Sequence, residues 1–172
     1  LGDVYKRQAV HRVTLRSDRL PEAFDGLRIA QFTDLHIGTL VDPDREMRAL
    51  VDSLNTLRPD LVIFCGDLVN IRGSELDARA MRLLGGLRAP YGVVSVTGNH
   101  DVGTYIKDSL RFPAAGEARE VVARQRAMGW RVLDNETVYL RRGDDSIALS
   151  GISYDRSLAR QRHDRMLPGL SL

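Results

Sequence analysis

Leu61-Val62-Ile63-Phe64-Cys65-Gly66-Asp67-Leu68-Val69-Asn70 is the stretch on which the fold turns. Its first five residues are apolar without alternation, the pattern of a strand covered on both faces. Cys65 falls within that run and reads as a buried small hydrophobe. Strands of this kind pair in parallel, and parallel pairing needs a crossover between neighbours. The flanking sequence supplies crossovers on both sides. Upstream, Leu27 to Phe32 reads as a strand and Thr33 to Gly38 as a polar loop. Asp42 is placed to cap a helix that Pro43 opens, with Asp44 and Glu46 complementing the positive end of its dipole. Met47, Leu50, Val51, Leu54 and Leu57 form one apolar face of that helix, which Pro59 ends.

Downstream, Gly66 to Gly73 reads as a loop, and Ser74 with Asp77 gives a capping-box-like start to a second helix. Its face is Leu76, Ala80, Leu83, Leu84 and Leu87, and Pro90 closes it. Val93 to Val96 is a third buried strand, running into Thr97-Gly98-Asn99-His100-Asp101. The order β-α-β-α-β predicts an α/β fold with a parallel sheet and right-handed crossovers. A third helix is expected over Glu117 to Met128, stopped by Gly129. Trp130 reads as core. Thr137 to Leu140 and Ile147 to Ile152 predict a hairpin, and Ala9 to Leu15 an edge strand.

Composition narrows the class. The 172 residues are 43% hydrophobic and 28% charged, ordinary for a globular domain. A net charge of +2 and a pI of about 8.9, with basic residues dispersed, give no nucleic-acid signal. A single cysteine excludes an internal disulfide and a thiolate zinc cluster. No apolar stretch approaches the roughly 20 residues that span a bilayer. Leu1 to Gln8 resembles a translated cloning scar. The expectation is therefore a single domain over residues 9–172, truncated at its C-terminus, with any membrane association residing in segments absent from this chain.

Three polar clusters follow the three strands: Asp34-Leu35-His36, Gly66-Asp67-Leu68-Val69-Asn70 and Gly98-Asn99-His100-Asp101. Ligands of open α/β sheets bind beyond the carboxyl ends of the strands, where all three clusters fall. Singly, Asp34, Asp67, Asn99 and Asp101 read as turn formers. Together they read as a metal site, since a chance Gly-Asn-His-Asp in a chain this long is on the order of one in a thousand. Alternation in an extended segment would aim Asp34 and His36 the same way. Asp67 could bridge two cations, and Asn99 offers a neutral oxygen. Oxygen and imidazole donors without thiolates suit Mn, Fe, Zn or Mg.

These clusters resemble the first three signatures of the calcineurin-like metallophosphoesterases: Asp-x-His, Gly-Asp-x-x-Asn/Asp and Gly-Asn-His-Asp/Glu. The segments Phe24 to Ile29 and Trp130 to Glu136 look like a bacterial subgroup tethered to, or exported across, the cytoplasmic membrane. The resemblance implies a layered α-β-β-α sandwich whose second sheet is incomplete here. It also implies two divalent ions, Asp34 and His36 on the first, Asp67 bridging, and Asn99 on the second. His100 would face the substrate, and Asp101 would orient His100. The reaction implied is attack of a metal-activated hydroxide on a phosphate monoester, diester or pyrophosphate, in a small substrate that is lipid- or nucleotide-linked.

One departure stands out. The family completes its centre with downstream histidines in Gly/Ser-His and Gly-His-x-His segments. After His100 this chain has only His163, flanked by Arg162 and Asp164, in neither signature. The chain alone is therefore expected to bind metal weakly and turn over little. The alternative is a non-catalytic metal-binding or interaction module. Tyr105, Lys107 and Arg111 could line a pocket beside the third cluster, and Arg156 to Arg165 reads as a solvated face.

Overall fold

Each apolar run becomes a parallel strand, and each crossover carries a helix. The computed structural model describes residues 9–108 and 110–154. His163, the Arg156 to Arg165 stretch and Leu1 to Gln8 lie outside the described residues. The elements are β1 (Ile29–Phe32), α1 (Pro43–Thr56), β2 (Leu61–Phe64), α2 (Ala78–Leu84), β3 (Val93–Ser95), α3 (Ala114–Ala127), β4 (Arg131–Val132), β5 (Glu136–Arg142) and β6 (Asp145–Gly151). Strands β1 to β4 form a parallel sheet in sequence order, and β5 and β6 form an antiparallel pair. A sheet that grows in one direction through right-handed crossovers places every crossover helix on the same face.

Two cores result, one on each side of the sheet. On the helix side, Val62, Phe64 and Val93 pack with Met47, Val51 and Leu54 of α1, Ala80 and Leu84 of α2, and Val121 of α3. On the other side, Leu61 and Val94 pack with Val138 and Leu140 of β5, and with Phe24 and Leu133. Alternate residues of β2 thus serve opposite cores, which is why its sequence shows no polar alternation. The described residues supply helix, parallel-sheet and hairpin layers, with two strands in the second sheet.

Local signals explain most boundaries. The Asp42 carboxylate accepts from the Arg45 amide and caps α1. Gly129, at φ +86°, stops α3, and Gly143, at φ +61°, opens the two-residue turn between β5 and β6. Trp130 is buried as expected.

Several expectations are corrected. Helix α2 starts at Ala78, because Asp77 itself caps it by accepting from the Arg79 and Ala80 amides, and Gly73–Glu75 forms a separate 3-10 turn. Helix α3 begins at Ala114, three residues early. Ala9 to Leu15 forms no strand: Val13 and Leu15 are 81% and 87% exposed, and without a buried face β-propensity has nothing to fix it. Cys65 is exposed, because β2 ends at Phe64 and the chain leaves the sheet there. The two-residue strand β4 was too short to leave a periodic signal.

Candidate metal centre

Strands β1, β2 and β3 end at one rim, and the loops that follow β1 and β2 are joined there by backbone hydrogen bonds. The Asp34, His36 and Ile37 amides donate to the carbonyls of Gly66, Asp67 and Leu68 at 3.0, 3.1 and 3.0 Å. The close approach depends on glycine: a β-carbon on Gly66 would sit 2.6 Å from the Gly98 nitrogen, and one on Gly98 would overlap the Asp67 carboxylate. Asp34, His36 and Asp67 all adopt left-handed backbone conformations, with φ of 56°, 44° and 62°. Such conformations cost of order 1–3 kcal/mol each and gather where the surrounding structure enforces them. The segment is therefore not extended, and strand alternation is not what brings Asp34 and His36 together. Their side chains meet by another route, through paired left-handed turns.

The resulting cluster is tight. His36 Nε2 lies 3.7 Å from Asp34 Oδ1 and 4.0 Å from Asp67 Oδ2. One donor atom from each of His36, Asp67 and His100 falls within 4.8 Å of the others. The His36 and His100 rings meet edge to face at 4.4 Å. Ligands bound near 2.1 Å to one ion sit roughly 3–4 Å apart, so these side chains are close enough to gather round a divalent ion. The side chains grade from open to enclosed: Asp34 is 58% exposed, His36 24% and Asp67 13%.

Asn99 takes a different position. Its Nδ2 donates to the Tyr105 hydroxyl at 2.9 Å, which leaves its side-chain oxygen as the atom for an ion. The Tyr105 ring lies 4.2 Å from that of His100. Tyr105 thus holds both members of the Asn99-His100 pair. Its place six residues after Asn99 was visible in the sequence, but its two contacts were not.

His100 is held by a carbonyl rather than a carboxylate. Its Nδ1 lies 2.6 Å from the Asn70 carbonyl oxygen, which can only accept, so Nδ1 carries the proton and Nε2 is the free nitrogen. The expectation that Asp101 orients this imidazole is corrected. Asp101 is 1% exposed, and its oxygens accept from the amides of Asp67, Leu68, Val69 and Gly98 at 2.8 to 3.2 Å. Burial raises its pKa, opposed by these four amide donors. Asp101 therefore ties the second loop to the third. Glu75, which sequence reasoning passed over, does the same nearby, accepting from the amides of Gly38, Asn70, Ile71 and Arg72.

Comparisons with known proteins identify the family. The family profile described as calcineurin-like phosphoesterase matches residues 27–168. The chain is 33% identical over 93 residues to the metallophosphoesterase YkuE of Bacillus subtilis, covering 54% of this chain and 32% of the relative. It is 37% identical over 102 residues to the UDP-2,3-diacylglucosamine pyrophosphatase LpxG of Chlamydia trachomatis, covering 58% and 31%. A transmembrane protein with metallophosphoesterase domain from Bos taurus is 33% identical over 150 residues, covering 84% and 31%. The chain spans about a third of the length of these relatives.

Proposed function

The chain belongs to the calcineurin-like phosphoesterase family, and from that premise we propose that its parent protein hydrolyses phosphate monoester, diester or pyrophosphate bonds at a centre of two divalent ions. The observation that carries this reading is the convergence of His36, Asp67 and His100 donors within 4.8 Å, with Asp34 beside them. The family is metal-dependent, and the donor set suits Mn, Fe, Zn or Mg. In this reading Asp34 and His36 would hold one ion, Asp67 would be shared by both, and Asn99 would contribute its side-chain oxygen to the second. When bound, the ions neutralise charge on the phosphoryl group and acidify a water.

The chain's own groups do the rest. His100, its Nδ1 bonded to the Asn70 carbonyl, keeps Nε2 available to stabilise developing charge or pass a proton to the leaving oxygen. Asp101 takes part by fixing the amide-lined loops rather than by touching substrate.

The relative whose name specifies a pyrophosphatase of UDP-2,3-diacylglucosamine supports a small phosphorylated substrate that is lipid- or nucleotide-linked. No helix among the described residues is long and apolar enough to cross a membrane, so membrane association of the parent, which the bovine relative's name suggests, would rest on other segments. The 172 residues alone are expected to turn over slowly, because after His100 only His163 could add an imidazole.

The test is metal analysis of the chain against Asp67→Asn after incubation with Mn2+. Asparagine keeps the shape and an oxygen for the His100 amide, which now donates to Asp67 Oδ1 at 3.0 Å. Bound metal should fall at least about tenfold while thermal unfolding stays nearly unchanged. Equal metal content in the two proteins would remove Asp67 as a bridging ligand.

A further inference from the structure

Arg72 and Arg111 come from different loops and share one aromatic ring. The Arg72 guanidinium lies 4.3 Å from the centre of the Phe112 ring, and that of Arg111 lies 5.2 Å from the same centre. Two like charges gathered on one neutral ring repel each other, and cation–π contact offsets only part of that at an open site. Elsewhere the chain balances arginines differently: Arg79 meets Asp44, Arg124 meets Glu120 and Arg142 approaches Asp60. Among the described residues neither Arg72 nor Arg111 forms an ion pair. The nearest acidic side chains along the chain are committed to backbone amides. Glu75 accepts from the amides of residues 70 to 72, and Asp108 accepts from the Arg111 amide. The ring lies against both guanidinium groups, and among the described residues no carboxylate or carbonyl accepts from either.

The position of this pair is set by the loops that build the metal centre. Arg72 follows Asn70, whose carbonyl holds His100, so its α-carbon lies within about 7 Å of that of Asn70. Arg111 and Phe112 end the segment that begins with Tyr105 stacked on His100. We propose that Arg72 and Arg111, held on Phe112, form an anion subsite that receives a second phosphate group of the substrate, beyond the one that is cleaved. The planar guanidinium fork suits phosphate oxygens in pairs, which a lone hydroxyl or sugar would leave unused. The subsite favours pyrophosphate-linked or multiply phosphorylated substrates over simple monoesters. Its bearing on substrate choice rests on the hydrolase reading above, but its binding of phosphate does not.

Calorimetric titration of the metal-free chain in chelator with inorganic pyrophosphate, and separately with orthophosphate, tests it. Pyrophosphate should bind roughly tenfold tighter than orthophosphate, and the double variant Arg72→Gln, Arg111→Gln should lose about tenfold. Phe112→Leu should lose less, since it removes the support and keeps both charges. Arg131→Gln, which removes one exposed positive charge at the start of β4, should bind pyrophosphate like the wild type. Equal binding by wild type and the double variant would overturn the subsite, as would equal loss in Arg131→Gln. Neither result depends on whether the ions are held as proposed.

Discussion

Asp67 and Asp101 meet across one hydrogen bond, the Asp67 amide donating to Asp101 Oδ2, yet their carboxylates serve two different layers of the rim. In the outer layer Asp67 joins Asp34, His36 and His100 around a shared volume. In the inner layer Asp101 is enclosed and spends its oxygens on four amides of two loops. The outer carboxylate is kept open by geometry that the inner one enforces. Three left-handed residues in the outer layer would relax to ordinary conformations if the loops beneath them were not tied. The chemistry sits on a strained surface, and the restraint sits directly under it.

Breaking the inner layer should therefore be the larger disturbance. Asp101→Ala strips the acceptor from the Asp67, Leu68, Val69 and Gly98 amides, and two of the four bonds are fully buried. Leaving buried donors unpaired costs about 1–3 kcal/mol each before relaxation, so a net loss of about 3–5 kcal/mol is expected in urea unfolding. Metal binding should fall with it, because the Asp67 turn loses its anchor. Asp67→Asn, in contrast, should cost metal and little stability. If Asp101→Ala unfolds like the wild type, the two layers are not mechanically linked.

The comparison also shows what a sequence can reveal. Asp34, His36 and Asp67 were readable as one cluster because each follows a strand, and parallel strands deliver their ends to one rim. The fold itself was legible in the unbroken apolar run of β2 and in the Asp42-Pro43 helix start. Orientation within the rim was not. Asp101 sits beside His100 in the chain, so adjacency suggested a carboxylate–imidazole pair. Only the tertiary arrangement shows that Asn70 takes that place and that Asp101 faces inward. Glu75 lacked a motif, and its role depends on four amides drawn from loops far apart in sequence.

Below both layers in expected effect stands Tyr105. Tyr105→Phe keeps the ring against His100 and deletes only the hydroxyl that receives Asn99 Nδ2. The Asn99 amide then gains freedom to turn its oxygen away from the proposed second ion. A loss of roughly threefold in affinity for Mn2+ is expected, with unfolding unchanged, whereas Tyr105→Leu should lose more by freeing His100 as well. Identical titrations for wild type and both variants would place Tyr105 outside the ion site.

Cys65 sits where strand gives way to rim, and its substitution should matter least. Its side chain is exposed, accepts from Gln31 Nε2 at 3.2 Å, and supports neither layer. Cys65→Ser should change stability by less than about 0.5 kcal/mol. The thiol is still reactive in a graded way. Partial burial against the surrounding chain raises its pKa, and the Gln31 contact lowers it less. A raised pKa means less thiolate at any pH below it, so iodoacetamide should label native Cys65 more slowly than a free thiol near pH 8, with the gap narrowing as pH rises. Labelling at the same rate in the native and urea-unfolded chain would mean that the residue feels no such environment. No labelling at all in the native chain would restore the buried cysteine that the apolar run alone suggests.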